Sequence, residues 1–325
     1  MATRANALRL VAVLMTCVLT ASCSLFGSSS GGGNADLERT ILRIGVAQVV
    51  DVAPLRIALT DKLFEKHGLQ VNLVSQTNES DAINQLDTTL DITWATHVSF
   101  FRAVAGGKEL QLQGEAYQAG PNSMALVTNA TSDYDDPGKR PAPSIAVNSD
   151  TDIGSLTTKA VLDTAAVEKN KIKFRPMPFG EMENALKSGS VDAAFMIEPF
   201  ITKAQRNIGA KILTDTARGP TLDFPMSGYA SSKKFADANP KTLKAFRDVL
   251  REAQQRAQAN KLAVQDSLTS YADVDAPTAA LVSVGTFPLS LNPIRLQRVA
   301  DMMDTEDVLS GRLDVQQLLP PGTTN

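Results

Sequence analysis

Apolar and polar residues along this chain switch between two periods, and the switches mark its elements. From Ile41 to Ala47 the run Ile-Leu-Arg-Ile-Gly-Val-Ala alternates like a half-buried strand and leads into a loop from Gln48 to Pro54. Helical spacing follows from Leu55 to Lys66, with Lys66 and His67 at the negative end of the dipole and Gly68 as a left-handed cap. The pattern then predicts a strand from Leu69 to Val74, a helix from Ser80 to Leu90, a strand from Asp91 to Ala95 and a helix from Val98 to Ala105 stopped by Gly106-Gly107. The segments Leu110 to Tyr117 and Met124 to Thr128 read as further strands. Asp133 to Pro143, with Asp135-Asp136-Pro137-Gly138 and two more prolines, reads as a surface crossing. Beyond it the alternation restarts: strand from Ser144, helix from Asp152, strand from Lys173, helix from Glu181, strand from Val191 to Ile197. The tail reads as helical, and Asn239-Pro240 and Asn292-Pro293 each pair a capping side chain with proline at the first helical position. Strands alternating with helices over short connections predict an α/β architecture of mostly parallel sheets flanked by helices.

One stretch repeats. Leu90-Asp91-Ile92-Thr93-Trp94-Ala95-Thr96-His97 lies without a gap on Val191-Asp192-Ala193-Ala194-Phe195-Met196-Ile197-Glu198. In both copies a helix ends, an aspartate opens a strand, an aromatic follows three residues on, and a polar group stands six residues after the aspartate. Ligands of open parallel sheets sit beyond the carboxyl ends of the strands. Each copy is therefore expected to point its last residue, His97 or Glu198, into a cleft between two lobes.

The first residues add an address. Arg4 and Arg9 precede an apolar run from Leu10 to Leu19, and Thr20-Ala21-Ser22 brings small residues up to Cys23. That order describes an export signal, and the apolar run is far shorter than the ~20 residues that span a bilayer. Leu19-Thr20-Ala21-Ser22-Cys23 also resembles a bacterial lipobox, which implies lipidation of Cys23. Ser24 to Asn34 is mostly Ser and Gly, a flexible tether. Losing Arg4 and Arg9 takes the formal charge from −3 to −5, so nothing basic points to nucleic acid.

Cysteine and histidine narrow the chemistry. Cys17 leaves with the leader, so the mature domain has neither disulfide nor thiolate. The two histidines, His67 and His97, are far apart and no zinc-ligand cluster accompanies them. No Gly-x-Ser-x-Gly elbow, Walker loop or dinucleotide fingerprint is present. The chain is expected to be no enzyme and to need no cofactor. Roughly 285 residues from Ile41 onward are enough for one large or two medium units held by burial alone.

Family resemblance sharpens this. Leu63-Phe64-Glu65-Lys66-His67-Gly68-Leu69 ahead of a strand, Asn184-Ala185-Leu186-Lys187-Ser188-Gly189-Ser190-Val191-Asp192-Ala193, and the following Glu198-Pro199 resemble motifs of the SsuA/NMT1-like substrate-binding proteins of ABC importers. Departures are Thr88-Thr89 in place of a glycine, and Pro141 and Pro143 within the segment after Asp136. The resemblance implies a two-lobed type II periplasmic-binding-protein fold with the ligand cleft between lobes. Residues 1–22 would be the leader, 23–40 the lipidated cysteine and tether, 41–128 plus 225–325 lobe one, and 129–224 lobe two. Hinges are then expected near Thr128 and Met226. The implied function is capture of a small solute outside the cell by a monomer, tethered to the membrane surface by its lipid, for an ABC permease and its ATPase. A pyrimidine-synthesis-type enzyme and a tethered solute sensor are the alternatives.

The candidate ligand set follows. Gln48 and Asp51 lie in the first strand-to-helix loop, where Asp51 reads equally as a helix cap. Trp94 is a core residue or a stacking platform, and Thr96 ends the same strand. His97 is a cleft group or a cap for the helix from Val98, while Glu198, an acid closing an apolar strand, has the stronger case. Tyr117 and Tyr229 are placed near the hinges, each reading equally as a ligand contact or a packed tyrosine, and Asn122 and Ser123 complete the candidate set. Thr151 lies in Asn148-Ser149-Asp150-Thr151 ahead of a lobe-two helix, where backbone N–H groups could hold an anion. Asp150 and Asp152 oppose an anion there, and the predicted cleft loops hold no Arg or Lys, so a neutral or amine-bearing heterocycle is favoured over nitrate or a simple sulfonate.

Overall fold

The computed structural model describes residues 37–323, so the expected leader, Cys23 and most of the tether lie outside the described residues. The alternating segments form ten strands there: β1 Ile41–Val46, β2 Gln70–Ser75, β3 Ile92–Thr96, β4 Leu110–Gln118, β5 Met124–Thr128, β6 Ser144–Val147, β7 Lys173–Pro176, β8 Ala193–Ile197, β9 Lys211–Asp215 and β10 Pro225–Ser232. They build two five-stranded sheets, ordered β2-β1-β3-β10-β4 and β7-β6-β8-β5-β9. In each, one strand runs against the others: β10 is antiparallel to β3 and β4, and β5 to β8 and β9. Both sheets are thus mixed and mostly parallel, flanked by helices, as the alternation predicts.

Period-two alternation decides which face meets which layer. In the second sheet Met124, Leu126, Phe195 and Ile197 join the large apolar cluster that also contains the first sheet's Leu42, Ile44, Ile92 and Trp94. Their neighbours Ala125, Val127, Ala194 and Met196 form a smaller cluster with Met182, Leu186 and Ile201 from the Phe179–Ser188 and Phe200–Ile208 helices. Burying one such side chain contributes about 1.5–3 kcal/mol, and these layers hold the domain without a disulfide.

Three expectations are corrected. Met124–Thr128, placed in lobe one, pairs within the second sheet. The chain therefore crosses at 119–123, not near Thr128, and returns at 216–224, beside the expected crossing near Met226. The sequence reads 119–123 as a turn inside one lobe because both flanking segments alternate alike. The two crossings bond to each other, with Ala119 N–H donating to Phe224 O at 2.9 Å, and a third segment joins them through paired Gln118 and Thr286. Two glycines permit that contact, since a Cβ on Gly285 would stand 2.4 Å from Gln118 O and one on Gly120 2.8 Å from Gly285 Cα.

The tail is not wholly helical, because β10 opens it. Its eight residues are all buried, and Pro225, Gly228 and four small residues leave little period to read. Asn239 does not cap the Pro240–Ala259 helix; its side chain donates to Phe235 O. Glu38 does that work from the expected tether, accepting the N–H groups of Lys241 and Thr242 at 3.2 and 2.9 Å, an acid suited to a helix start. Asn292 caps as predicted, accepting Arg295 N–H at 3.0 Å.

Candidate functional site

The carboxyl ends of β1, β2 and β3 face those of β6, β7 and β8 across a cavity of about 680 Å³. Ala47–Val49 follow β1, Ser75–Ser80 end and follow β2, Trp94 lies on β3, and Ser99 and Arg102 come from the His97–Ala105 helix. The second sheet contributes Asn148–Asp150 and Asp152 after β6, Pro176–Gly180 after β7, and Phe200 after β8. This is where parallel sheets place ligands, because strands end there and loops begin.

The walls combine flat apolar surface with acid. Phe179 and Phe200 stack with centroids 5.2 Å apart on one side, and Trp94 lines the other. Glu79, Asp150 and Asp152 line the cavity with one cation, Arg102. Arg102 projects from a helix, which is why the predicted loops showed no cation. Burial and the neighbouring Asp152 carboxyl push Glu79 up to about 8. Asp152 begins the Ile153–Asp163 helix, its Oδ1 accepting Ile153 N–H at 2.6 Å.

Of the residues proposed from sequence, Gln48 and Trp94 line the cavity. Thr96 is buried and does not line it; it caps the His97–Ala105 helix, its Oγ1 2.9 Å from Glu79 Oε2 and 2.8 Å from Asp152 Oδ1, two acids that do. Thr151 is exposed beside the lining residues Asp150 and Asp152, outside the cavity. The others lie elsewhere. His97 is fully buried behind β10, stacked on Phe101 with a Cβ on Gly228 only 2.8 Å from its Cε1, and burial pushes it down to about 3. As first residue of its helix it faces the core, so the cleft role expected for it is withdrawn. Glu198 is also buried, accepting from Thr202 Oγ1 at 2.8 Å, Thr202 N–H at 3.2 Å and Ser283 N–H at 3.0 Å. It ties the second sheet's next helix to a tail loop instead of meeting a ligand, and burial raises its pKa.

Tyr117 is buried at the crossings, where its hydroxyl accepts Gly285 N–H and its ring packs on Phe287. Asn122 and Ser123 shape the crossing itself. Asn122 is left-handed with φ 57° and donates its N–H to Asp215, while Ser123 Oγ donates to Gly120 O at 2.9 Å. Tyr229 is buried against Phe246. Asp51 is buried too, accepting from Ser227 Oγ, and burial pushes it up to about 7. It does not cap the Ala53–Thr60 helix, which has no side-chain cap.

The sequence missed Glu79, Ser99, Arg102 and Phe179. Glu79 and Ser80 open the helix that follows the short loop after β2, and a loop-after-strand rule applied to every parallel strand finds them. Among the described residues no group of three His, Cys, Asp or Glu is placed to hold a metal ion. The lining offers hydrogen bonds, charge and stacking surfaces.

Comparison with known proteins gives the relatives. Residues 35–269 match the model of the NMT1-like family. An ABC transporter periplasmic binding protein of Brachyspira hyodysenteriae is 26% identical over 229 residues, 66% of this chain and 62% of that protein. The chain thus spans under two thirds of the length of the curated relative it matches. The fold is shared with the periplasmic aliphatic sulphonate binding protein SsuA from Escherichia coli, with TM-score 0.71, 17% identity, and coverage of 88% of this chain and 94% of that one. It is shared likewise with the alkanesulfonate-binding protein SsuA from Xanthomonas axonopodis pv. citri bound to MOPS, with TM-score 0.73, 17% identity, and coverage of 87% and 98%.

Proposed function

The chain belongs to the NMT1-like family, and on that premise we propose that it is the extracytoplasmic solute-binding component of an ABC importer. The observation that carries this reading is the cavity between two sheets of like strand order, lined by loops from both. Residues 41–118 with the tail from Pro225 would form one jaw and 124–215 the other, hinged at the bonded crossings. Cys23 would carry the lipid that tethers the domain outside the cell. The protein's partners would be a permease and its ATPase, with no reaction catalysed.

The solute fits between Trp94 and the Phe179–Phe200 pair, so a small planar molecule suits it. Asp150 and Asp152 against one arginine, with Glu79 raised to about 8, favour a neutral or amine-bearing heterocycle over a bare anion. Arg102 and the sulfonate relatives supply the second reading, a zwitterion or sulfonate with its anionic end on that side chain.

Native mass spectrometry of the freshly purified domain, followed by thermal shift with pyrimidines, flavins, sulfonates and nitrate, tests both. One bound solute whose affinity falls about tenfold or more in Trp94→Ala is the expected result. A panel in which no solute raises Tm and no molecule co-purifies defeats the reading. In cells, Cys23→Ser should release the protein from the membrane fraction; unchanged fractionation removes the anchor.

A further inference from the structure

Two acids from opposite sides of the cleft meet on one hydroxyl. Glu79 opens the Glu79–Asn84 helix beside the first sheet, and Asp152 caps the Ile153–Asp163 helix of the second. Thr96 Oγ1 lies 2.9 Å from Glu79 Oε2 and 2.8 Å from Asp152 Oδ1, and it accepts Ser99 N–H at 3.1 Å. A hydroxyl has one hydrogen and two lone pairs. With both carboxyls ionised it donates to one of them only, and the other contact sets lone pair against lone pair.

The count closes with one more proton. Glu79 Oε2–H then donates to Thr96 Oγ1, whose own hydrogen goes to Asp152 Oδ1, and every lone pair of the hydroxyl is used. Asp152 is the member with more donors turned on it. It accepts Ile153 N–H at 2.6 Å and Ser99 Oγ–H at 2.7 Å, at the positive end of a helix. Glu79 accepts the Thr96 N–H at 2.8 Å, and Ser99 is the other hydroxyl beside it. We propose that a single proton, held on Glu79 and linked by the Thr96 hydroxyl to Asp152, joins the two sides of the cleft, so that opening is coupled to its loss.

The surrounding charges set the direction. The second-sheet side presents Asp150 with Asp152, and both favour keeping the proton; Arg102 from the His97–Ala105 helix favours losing it. Asp81, on Glu79's own helix, is exposed, and His97 stays neutral, pushed down to about 3. In the joined arrangement Glu79 is raised to about 8 from the 4.5 of a free glutamate. The joined state therefore binds the proton more tightly than the open one. Its advantage is complete below the free-glutamate range, falls about tenfold per pH unit as pH rises toward about 8, and is level beyond. This holds whichever solute the cleft takes.

Amide hydrogen exchange at Thr96, corrected for the intrinsic rate, reads even rare openings. From about pH 5 to about pH 8 its protection should fall about tenfold per unit in the native protein. Glu79→Gln cannot titrate and, turned with its amide oxygen on the Thr96 N–H, should hold protection flat across that range. Asp152→Asn keeps the helix cap but removes the like charge, and should move the fall to lower pH. Native protection equal at both ends of the range, or a Glu79→Gln profile that falls in step with the native one, overturns the proposal.

Discussion

Asp91 and Asp192 hold the same position in two sheets of like strand order. Asp91 Oδ2 accepts the backbone N–H of Arg43 at 2.8 Å, and its own N–H donates to Arg43 O at 2.9 Å. Asp192 repeats both bonds on Ser144, at 2.7 and 2.8 Å. Each also takes an arginine: Arg43 forks onto Asp91, and Arg140 pairs with Asp192. Six residues later the likeness is gone. His97 is a neutral ring in the core, whereas Glu198 is a buried carboxyl fed by three donors. The repeated acid registers the central strand against its neighbour, a task both sheets share. The strand tip has no such common task, and its chemistry follows what happens to pack there.

Removing the shared acid should give the largest effect. Asp91→Ala strips a buried acceptor from a backbone N–H and two guanidinium contacts, and should cost about 3 kcal/mol. Asp192→Ala should cost about half that, roughly 1.5 kcal/mol, since water replaces part of the lost solvation. The side chains are 1% and 25% exposed, which is the difference being tested. Urea midpoints of the mature domain at constant m check it. Equal losses would break the idea that burial, not the shared bonding pattern, sets the cost.

The same contrast explains what could be read before any coordinates. β3 and β8 were legible because an acid and an apolar run state a strand start and a buried strand together. The acids' bonding partners were not, since Arg43 and Ser144 lie 48 residues upstream in both cases. β5 was found as a strand but assigned to the wrong sheet, because alternation reports a face and says nothing of which neighbour pairs. Site residues fared worse. The tip residues His97 and Glu198 were singled out for polarity, yet a helix start can turn a polar side chain inward and satisfy or bury it. Glu79 and Arg102 escaped because their helices show the solvent-facing charges that any surface helix shows.

The two tips should answer pH in opposite senses. His97 binds a proton at an ordinary 6.5 when unfolded but only near about 3 in the fold, so stability is lost as pH falls below 6.5. At pH 5 that loss is about 2 kcal/mol, and His97→Leu should recover it while gaining less at pH 7. Glu198 is shifted upward, so its native form holds the proton more tightly and stability is lost as pH rises past the ordinary glutamate range. Glu198→Gln should flatten that side of the profile. Thermal melts from pH 4 to pH 9 separate the two, and parallel profiles for both variants would sink the contrast.

The smallest effects belong to the outermost partners, where the two copies differ most. Arg39 adds a second cation to Asp91 at 3.2 Å, and Asp133 adds a second acid to Arg140 at 2.6 Å. Neither has a counterpart in the other sheet. Arg39 is 44% exposed, so water and salt already screen it, and Arg39→Ala should cost only about 0.5 kcal/mol. Asp133 is 75% exposed, and Asp133→Ala should leave the urea midpoint where it is. Raising the salt should shrink the Arg39 effect and leave that of Asp91→Ala in place, because a buried acid keeps its backbone partner at any ionic strength. A loss at Arg39 as large as at Asp91 would mean the outer charge, not the buried acid, registers the strand.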